Sequence, residues 1–207
     1  MTTARTFPAL ILVLVFLTAG ATAQKSEAPA ADYFPLRVGY SWTYRMAEDQ
    51  TQYTLKVIGE EKQSDGTVRF QVEKLAGAKV LLSFSKKEGW VLLHSEIYPE
   101  HEGLEAKYEP GKQYLKNPLT SGAQWGWQGT DYTNTEVQED NQVTGPEEVT
   151  VAAGKFQAMK LVTKVAGPTA LVRTSWYAEG VGLVKSTSTA GEIKYGWELA
   201  DYSFKKK

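Results

Sequence analysis

The chain has 207 residues, no cysteine, and 23 lysine and arginine residues against 24 aspartate and glutamate residues. The lack of cysteine excludes disulfide bonds, thiolate metal ligands and lipid attachment through a cysteine side chain. Because its charge is near neutral, the chain lacks the excess of basic residues that marks a nucleic-acid-binding surface, so nucleic acid is not an expected partner. The one basic run, Lys205-Lys206-Lys207, is typical of a solvated chain end.

The first 23 residues predict a secretory signal peptide. Arg5 supplies the positive charge, an apolar run follows from Ala9 to Leu17, and Ala21-Thr22-Ala23 fits an Ala-x-Ala cleavage site. A membrane-spanning helix needs about 20 apolar residues, and this run is about half that length. We therefore expect cleavage before Gln24, a periplasmic or extracellular location, and no membrane span in the mature chain.

The mature chain predicts a short spacer followed by β structure. Residues 24–31 are small and polar, which is typical of a disordered segment. From Asp32 onward apolar and polar residues alternate with a period of two, as at 53–57, 68–72 and 193–199. This alternation indicates strands that have one face on a core and one face in water.

Two segments, Val80–Leu82 and Trp90–Leu93, are apolar on both faces, which predicts strands that are covered on both sides. Turn residues separate the apolar runs at short spacing, for example at Asp65-Gly66 and Glu88-Gly89. We therefore expect an all-β fold in a single domain over residues 32–207. It would be an antiparallel curved sheet, a half-barrel or a sandwich.

Two sequence motifs occur twice, in the same order along the chain. The pattern P-L-x-x-G-x-x-W occurs at Pro35–Trp42 and Pro118–Trp125, and Glu88–Leu93 is similar to Glu179–Val184. In the first motif the glycine supplies a conformation that other residues resist, and the tryptophan brings a large apolar surface to the start of a strand. This internal repeat predicts two related meanders, over about residues 32–115 and 116–207.

The opening YFPLRVGYSWTY at Tyr33–Tyr44 and the segment WYAEGVGLVK at Trp176–Lys185 resemble uncharacterised secreted bacterial β-proteins. The stretch VTVAAGKF at Val149–Phe156 resembles them as well. More remotely, the chain is similar to the half-barrels of periplasmic lipoprotein carriers. The first resemblance implies an envelope β-protein with no assigned activity. The second implies an open half-barrel in which helices cover an apolar concave face.

No catalytic signature stands out in the sequence. There is no G-x-S-x-G nucleophile elbow, no glycine-rich nucleotide loop and no calcium-binding loop. His94, Glu96 and His101 are candidates for a metal site, because a strand would place His94 and Glu96 on one face. The alternative is a polar hairpin end. We expect no metal, no cofactor and no enzymatic activity.

Aromatic residues make up 12% of the chain and include six tryptophans. Tryptophan on a β face can stack on a ligand or line an apolar groove, although most aromatics in strands fill the core. The candidates for ligand binding are Trp90, Trp127 and Trp176. Of these, Trp127 is expected to be the most exposed, since Gly126 and Gly129 leave little to pack beside it.

Two functions follow from these patterns. The strands that are apolar on both faces, together with the aromatic excess, favour a non-catalytic protein that binds an apolar small molecule, a lipid or an acylated partner on a concave β surface. The alternative is a structural or protein-interaction component of the cell envelope, with the same strands buried between two layers. An interior cavity of roughly 300–1,000 Å3, the usual size of a ligand site, would favour the first function.

Overall fold

The computed structural model describes residues 30–46, 48–168 and 170–204, so the predicted signal peptide and most of the predicted spacer lie outside it. All regular structure in these ranges is β structure, and none of these residues forms a helix that could cross a membrane. The strands are β1 (Ser41–Met46), β2 (Gln52–Lys62), β3 (Val68–Ala76), β4 (Ala78–Lys87), β5 (Trp90–Ile97), β6 (Glu105–Lys116), β7 (Gln124–Thr130), β8 (Glu136–Val151), β9 (Gly154–Ala166), β10 (Leu171–Ala178), β11 (Gly182–Ala190) and β12 (Ile193–Ser203).

The twelve strands form one antiparallel sheet in the order β6-β5-β4-β3-β2-β1-β12-β11-β10-β9-β8-β7. Each half of the chain therefore supplies one six-stranded meander, and the pairing of β1 with β12 joins the two meanders. Strand twist accumulates across so many strands and curls the sheet into a nearly closed barrel. The predicted all-β, antiparallel, curved architecture is confirmed, and the sheet is barrel-like rather than a sandwich.

The repeated P-L-x-x-G-x-x-W motif has the same local structure in both halves. Gly39 and Gly122 have φ angles of 92° and 81°, in the left-handed region that favours glycine. The amide of Gly39 donates to the carbonyl of Val57 at 2.9 Å, and the amide of Gly122 donates to that of Val143 at 2.8 Å. The two copies thus start β1 and β7 in the same way. Duplication of the whole meander stays a prediction.

The strands that are apolar on both faces do not lie between two layers, because one sheet surrounds one interior. Val91 and Leu93 are buried, with 0% and 5% of their surface exposed. Leu81 and Leu92 alternate with inward-facing residues and remain partly exposed. Their apolar character therefore reflects partial burial on the outer surface rather than a second sheet.

Residues 32–40 cross one end of the barrel and are called here the N-terminal strap. The carboxylate of Asp32 accepts hydrogen bonds from Lys86 Nζ at 2.6 and 2.8 Å and from Asn117 Nδ2 at 2.8 Å. The backbone carbonyl of Asp32 accepts from the amide of Gly180 at 2.7 Å. These partners belong to β4, the β6–β7 connection and the β10–β11 turn, so the strap spans the whole end.

Phe34 of the strap points into the barrel and packs against Phe84 and Tyr114, with ring centroids 5.1 and 5.7 Å apart. Such aromatic contacts add to the stabilisation from burial of apolar area. The indole of Trp42, near the start of β1 just after the strap, donates to the carbonyl of Val181 at 2.7 Å. The strapped end is therefore the floor of the barrel. The opposite end, at the β3–β4, β7–β8 and β9–β10 turns, is the open end.

Candidate functional site

The barrel encloses a cavity of about 470 Å3. This volume falls within the roughly 300–1,000 Å3 typical of small-molecule sites. A twelve-stranded barrel is wider than the eight-stranded barrels whose interiors side chains can fill, so residual space is the expected consequence of the strand number. The cavity wall has three levels, which differ in chemistry.

The level next to the floor is apolar. Its wall consists of side chains that are buried and carry no formal charge: Phe84, Leu93 and Tyr177, with Tyr114 and Leu183 partly buried beside them. Burial raises the pKa of the Tyr177 and Tyr114 hydroxyls, so both rings remain neutral at physiological pH. This level can accommodate an apolar group.

The middle level carries hydroxyl and amide groups. Ser175, Ser186 and Ser188 line it from β10 and β11. On the facing strands, Thr163 Oγ1 donates to Asn141 Oδ1 at 2.7 Å, a buried hydrogen bond between β9 and β8. A cavity that changes from apolar to polar along its axis suits a molecule with both kinds of group.

The level at the open end is charged and partly exposed. Lys74, Glu96, Asp131 and Arg173 line it, together with the apolar side chains of Val137, Val165 and Leu171. Burial lowers the pKa of Lys74, while the charge of Glu96 opposes this shift and that of Arg173 adds to it. Ala76 beside the β3–β4 turn is exposed although it lines the cavity, which indicates that the cavity reaches solvent at this end.

The edge strands β6 and β7 meet without a hydrogen-bonded ladder, and side chains close the gap between them. We call this contact the seam. Lys112 Nζ pairs with Glu139 Oε1 at 2.8 Å, and both side chains are largely buried, with 11% and 17% of their surface exposed. The same ammonium lies 4.0 Å from the centre of the Trp127 ring, and Tyr108 meets Trp127 edge-on at 5.6 Å. Covering the edges in this way shields them from pairing with other chains.

Two further aromatic pairs extend the seam toward both ends. Tyr98 and Tyr132 lie 4.8 Å apart near the open end, and Trp90 and Trp125 lie 5.8 Å apart near the floor. Each pair joins a residue of the β4–β6 side to a residue of the β7–β8 side. The seam is therefore lined by aromatic and ionic contacts along its length.

Trp127 is the one of the three predicted tryptophans that lines the cavity. It is partly buried, and its ring lies across Gly129, where an added Cβ atom would stand 2.5 Å from Cζ2 of the indole. Gly129 thus provides room for the Trp127 ring, and the ring is not left exposed on the outer surface.

The other two tryptophans lie elsewhere. Trp90 packs at the floor end of the seam, under the ammonium of Lys116 at 5.3 Å. Trp176 alternates with the inward-facing Ser175 and Tyr177 and is on the outer face of β10. Its indole nitrogen donates to Glu147 at 2.9 Å. The structure therefore does not bring the three tryptophans into one site.

The three metal candidates are also separated. A register shift at Leu93/Ser95 leaves His94 without a cross-strand partner on β6, so His94 and Glu96 do not share a face. His94 Nε2 lies 2.8 Å from Ser85 Oγ, whereas Glu96 lines the cavity. His101 lies in the turn before β6. Burial, with the charge of Arg69, lowers the pKa of His94. Among the described residues, no three His, Cys, Asp or Glu side chains are grouped for a metal.

The cavity residues that the sequence patterns did not identify are Lys74, Arg173 and the inward-facing serines. Arg173-Thr174-Ser175 appears in the sequence as an ordinary polar stretch beside an apolar one. The sequence contained one indication of their position. Arg173, Ser175 and Tyr177 share one face of a strand, and an aromatic residue on that face indicates that the face is not wholly exposed to solvent.

A model of the DUF3108-like family matches residues 42–192, and the chain belongs to this family. The fold is similar to that of a Bacteroides fragilis protein, provisionally described as exported and with a YmcC-like fold, at a TM-score of 0.54 and 15% identity. This match covers 84% of the present chain and 100% of the other.

The fold is also similar to that of a Parabacteroides distasonis protein, provisionally described as a lipoprotein, at a TM-score of 0.51 and 11% identity. This match covers 85% of the present chain and 100% of the other. No functionally curated protein matches the chain. The predicted resemblance to uncharacterised β-proteins is thus supported at the level of family and fold. The helices that the lipoprotein-carrier resemblance implies are absent from the described residues.

Proposed function

We propose that this member of the DUF3108-like family is an exported, non-catalytic binding protein that holds an amphipathic molecule, or the acyl chain of a partner, inside its barrel. The observation that carries the proposal is the cavity of about 470 Å3 with an apolar floor and an open upper level where charged and hydroxyl groups join apolar ones. A protein with a purely structural role has no need to keep this space unfilled, since a filled interior would be more stable.

The closed, apolar floor and the open upper end of the cavity determine how a ligand would be oriented in it. Phe84 and Tyr177 at the floor are 3% and 4% exposed, and burial of a CH2 group against such side chains contributes about 0.8 kcal/mol. The strap closes the floor, so the ligand enters with its apolar end first and its polar end remains at the open end. The predicted signal peptide supports placement of this activity in the periplasm or outside the cell.

Absence of a catalytic arrangement near the cavity supports a binding role. In the described part of the chain, neither histidine lines the cavity, so neither is placed to act as a general base there. The carboxylates that do line it, Glu96, Asp131 and Glu139, each accept a hydrogen bond from a neighbouring side chain.

The first test is native mass spectrometry of the full-length gene product, purified from the envelope of its own cells in its processed form and compared with the same sample after denaturation. Extra mass that disappears on denaturation is expected and identifies the ligand. Titration with dodecanol and dodecanoate, followed by calorimetry, then measures binding of a defined chain.

Two matched variants locate the site. Ser175→Trp fills the middle of the cavity and is expected to abolish binding, whereas Thr174→Trp places the same side chain on the outer face of β10 and is expected to leave binding unchanged. Should Ser175→Trp fail to fold, Ser188→Phe narrows the same level with a smaller ring. A bare mass in the native spectrum, together with no heat on titration with either chain, would refute the binding role and favour the structural alternative.

A further inference from the structure

We propose that the open end of the cavity recognises an anionic group of the ligand, and that Arg173 and Lys74 are the two cations that bind it. This proposal rests on the proposed function. It narrows the ligand class to an amphiphile with a carboxylate or phosphate at its polar end.

The charges of the cavity wall identify these two residues. Six formally charged side chains line the cavity: Lys74, Lys112, Arg173, Glu96, Asp131 and Glu139. Lys112 and Glu139 neutralise each other in the seam at 2.8 Å. Two cations and two carboxylates remain at the open end.

The two remaining carboxylates accept hydrogen bonds from residues that are close to them in the chain. Asp131 accepts three bonds within the β7–β8 turn, from the amide and hydroxyl of Thr133 at 2.8 and 2.6 Å and from the amide of Thr135 at 3.1 Å. Glu96 accepts from the hydroxyl of Tyr98 at 3.0 Å. Both anions therefore have hydrogen-bond donors of their own, although the charge of Glu96 also acts on Lys74 from beyond ion-pair distance.

The two remaining cations, Lys74 and Arg173, have no ion-pair partner in the part of the chain that the structure describes. Among the described residues, no carboxylate lies within ion-pair distance of Arg173 or Lys74. Lys74 Nζ lies 5.2 Å from the centre of the Tyr53 ring, which offers only a weak cation–π contact. Holding a partly buried cation without an anion is costly, and a bound anion removes this cost.

The positions of the two cations suit one anion between them. Lys74 is on β3 and Arg173 is on β10, separated by four strands in one direction around the barrel and six in the other. The two side chains therefore approach the cavity axis from nearly opposite walls, above the apolar floor. A guanidinium binds carboxylate or phosphate through two parallel N–H donors, and an ammonium adds a point charge from the other side.

The test uses the full-length processed protein and a matched series of ligands with one chain length: dodecanoate, dodecyl phosphate, dodecanol and dodecyltrimethylammonium, each below its micellar concentration. Both anions are expected to bind at least about tenfold more tightly than the alcohol, since hydrogen bonds to charged groups are the strong ones. Acetate and inorganic phosphate, which lack the chain, are expected to bind at least about a hundredfold more weakly than the dodecyl anions.

Two variants separate a binding role from a structural one. Arg173→Gln is expected to weaken the anions at least about tenfold and to leave the alcohol within about twofold. Because Arg173 has no ion-pair partner, this substitution is expected to leave the melting temperature unchanged or higher. Lys164→Gln removes the same charge from the outer face of the neighbouring β9 and is expected to change neither affinity.

The outcomes distinguish the two proposals. If none of the four dodecyl ligands binds, the proposed function fails and this inference fails with it. If the alcohol or the ammonium binds as tightly as the anions, and Arg173→Gln changes nothing, the anion site is refuted while the binding function stands. If acetate or inorganic phosphate binds as tightly as the dodecyl anions, the amphiphile class is refuted.

Discussion

The ion pair of the seam gives a quantitative test of how the barrel closes. Lys112 and Glu139 are 11% and 17% exposed, and their charged atoms lie 2.8 Å apart. Replacing one partner leaves the other charge largely buried and unpaired, which costs about 3–5 kcal/mol for a fully buried pair. Because some solvent reaches this pair, and because Lys112→Met retains an apolar stem beside the Trp127 ring, we expect the lower end, about 3 kcal/mol.

The assay is urea unfolding of Lys112→Met, Glu139→Leu and the double variant. Thermal unfolding provides a second measurement. In a protein of this size a loss of about 1 kcal/mol lowers the melting temperature by about 2–4 °C, so Lys112→Met should melt about 6–12 °C below the parent. The double variant removes both charges and is expected to recover most of the loss, to within about 1 kcal/mol of the parent.

A matched control lies on the same strand. Lys107 pairs with Glu105 at 2.7 Å, but their side chains are 68% and 42% exposed, so Lys107→Met should cost less than about 1 kcal/mol. If Lys112→Met were as mild as Lys107→Met, or if the double variant were no more stable than the single one, side-chain closure of the seam by a buried charge pair would be refuted.

Three further predictions concern the strap, the seam and the core. Burial raises the pKa of Asp32, but hydrogen bonds from the strap's partners outweigh it and hold the pKa below its usual value. The stability that this carboxylate contributes is therefore present at neutral pH and lost as the pH falls below about 4. Asp32→Asn should cost about 1 kcal/mol at pH 7, and the difference in stability between variant and parent should disappear in acid. A difference that does not depend on pH would contradict this. Gly129→Ala should cost about 1–3 kcal/mol in urea unfolding, because the new Cβ meets the Trp127 ring, whereas Gly126→Ala on the same strand, with its nearest atom at 3.5 Å, should meet no such clash; equal losses would disprove the role of the ring. Tyr44→Phe removes a buried hydroxyl that donates to a carbonyl of β11 at 2.9 Å and should lower stability by about 1–2 kcal/mol; an unchanged urea midpoint would count against the bond.

The amino-acid sequence by itself determined the class of structure. Alternation with a period of two depends only on local backbone geometry, so strands such as β2 and β12 are evident without any partner. The glycine at the start of β1 and of β7 is likewise a local requirement: Gly39 and Gly122 occupy the left-handed region in both motifs.

Only the tertiary structure decided which face of each strand looks inward and what fills the space there. Pairing of β1 with β12 and closure at β6 and β7 join residues far apart in the chain, and the accumulated twist of twelve strands sets the width of the barrel. Alternation shows that Arg173 and Ser175 share a face with Tyr177, but it cannot show that this face encloses a cavity. The polar wall of the candidate site therefore follows from the closure of the sheet, because a polar residue that faces an enclosed interior has the same sequence pattern as one that faces solvent.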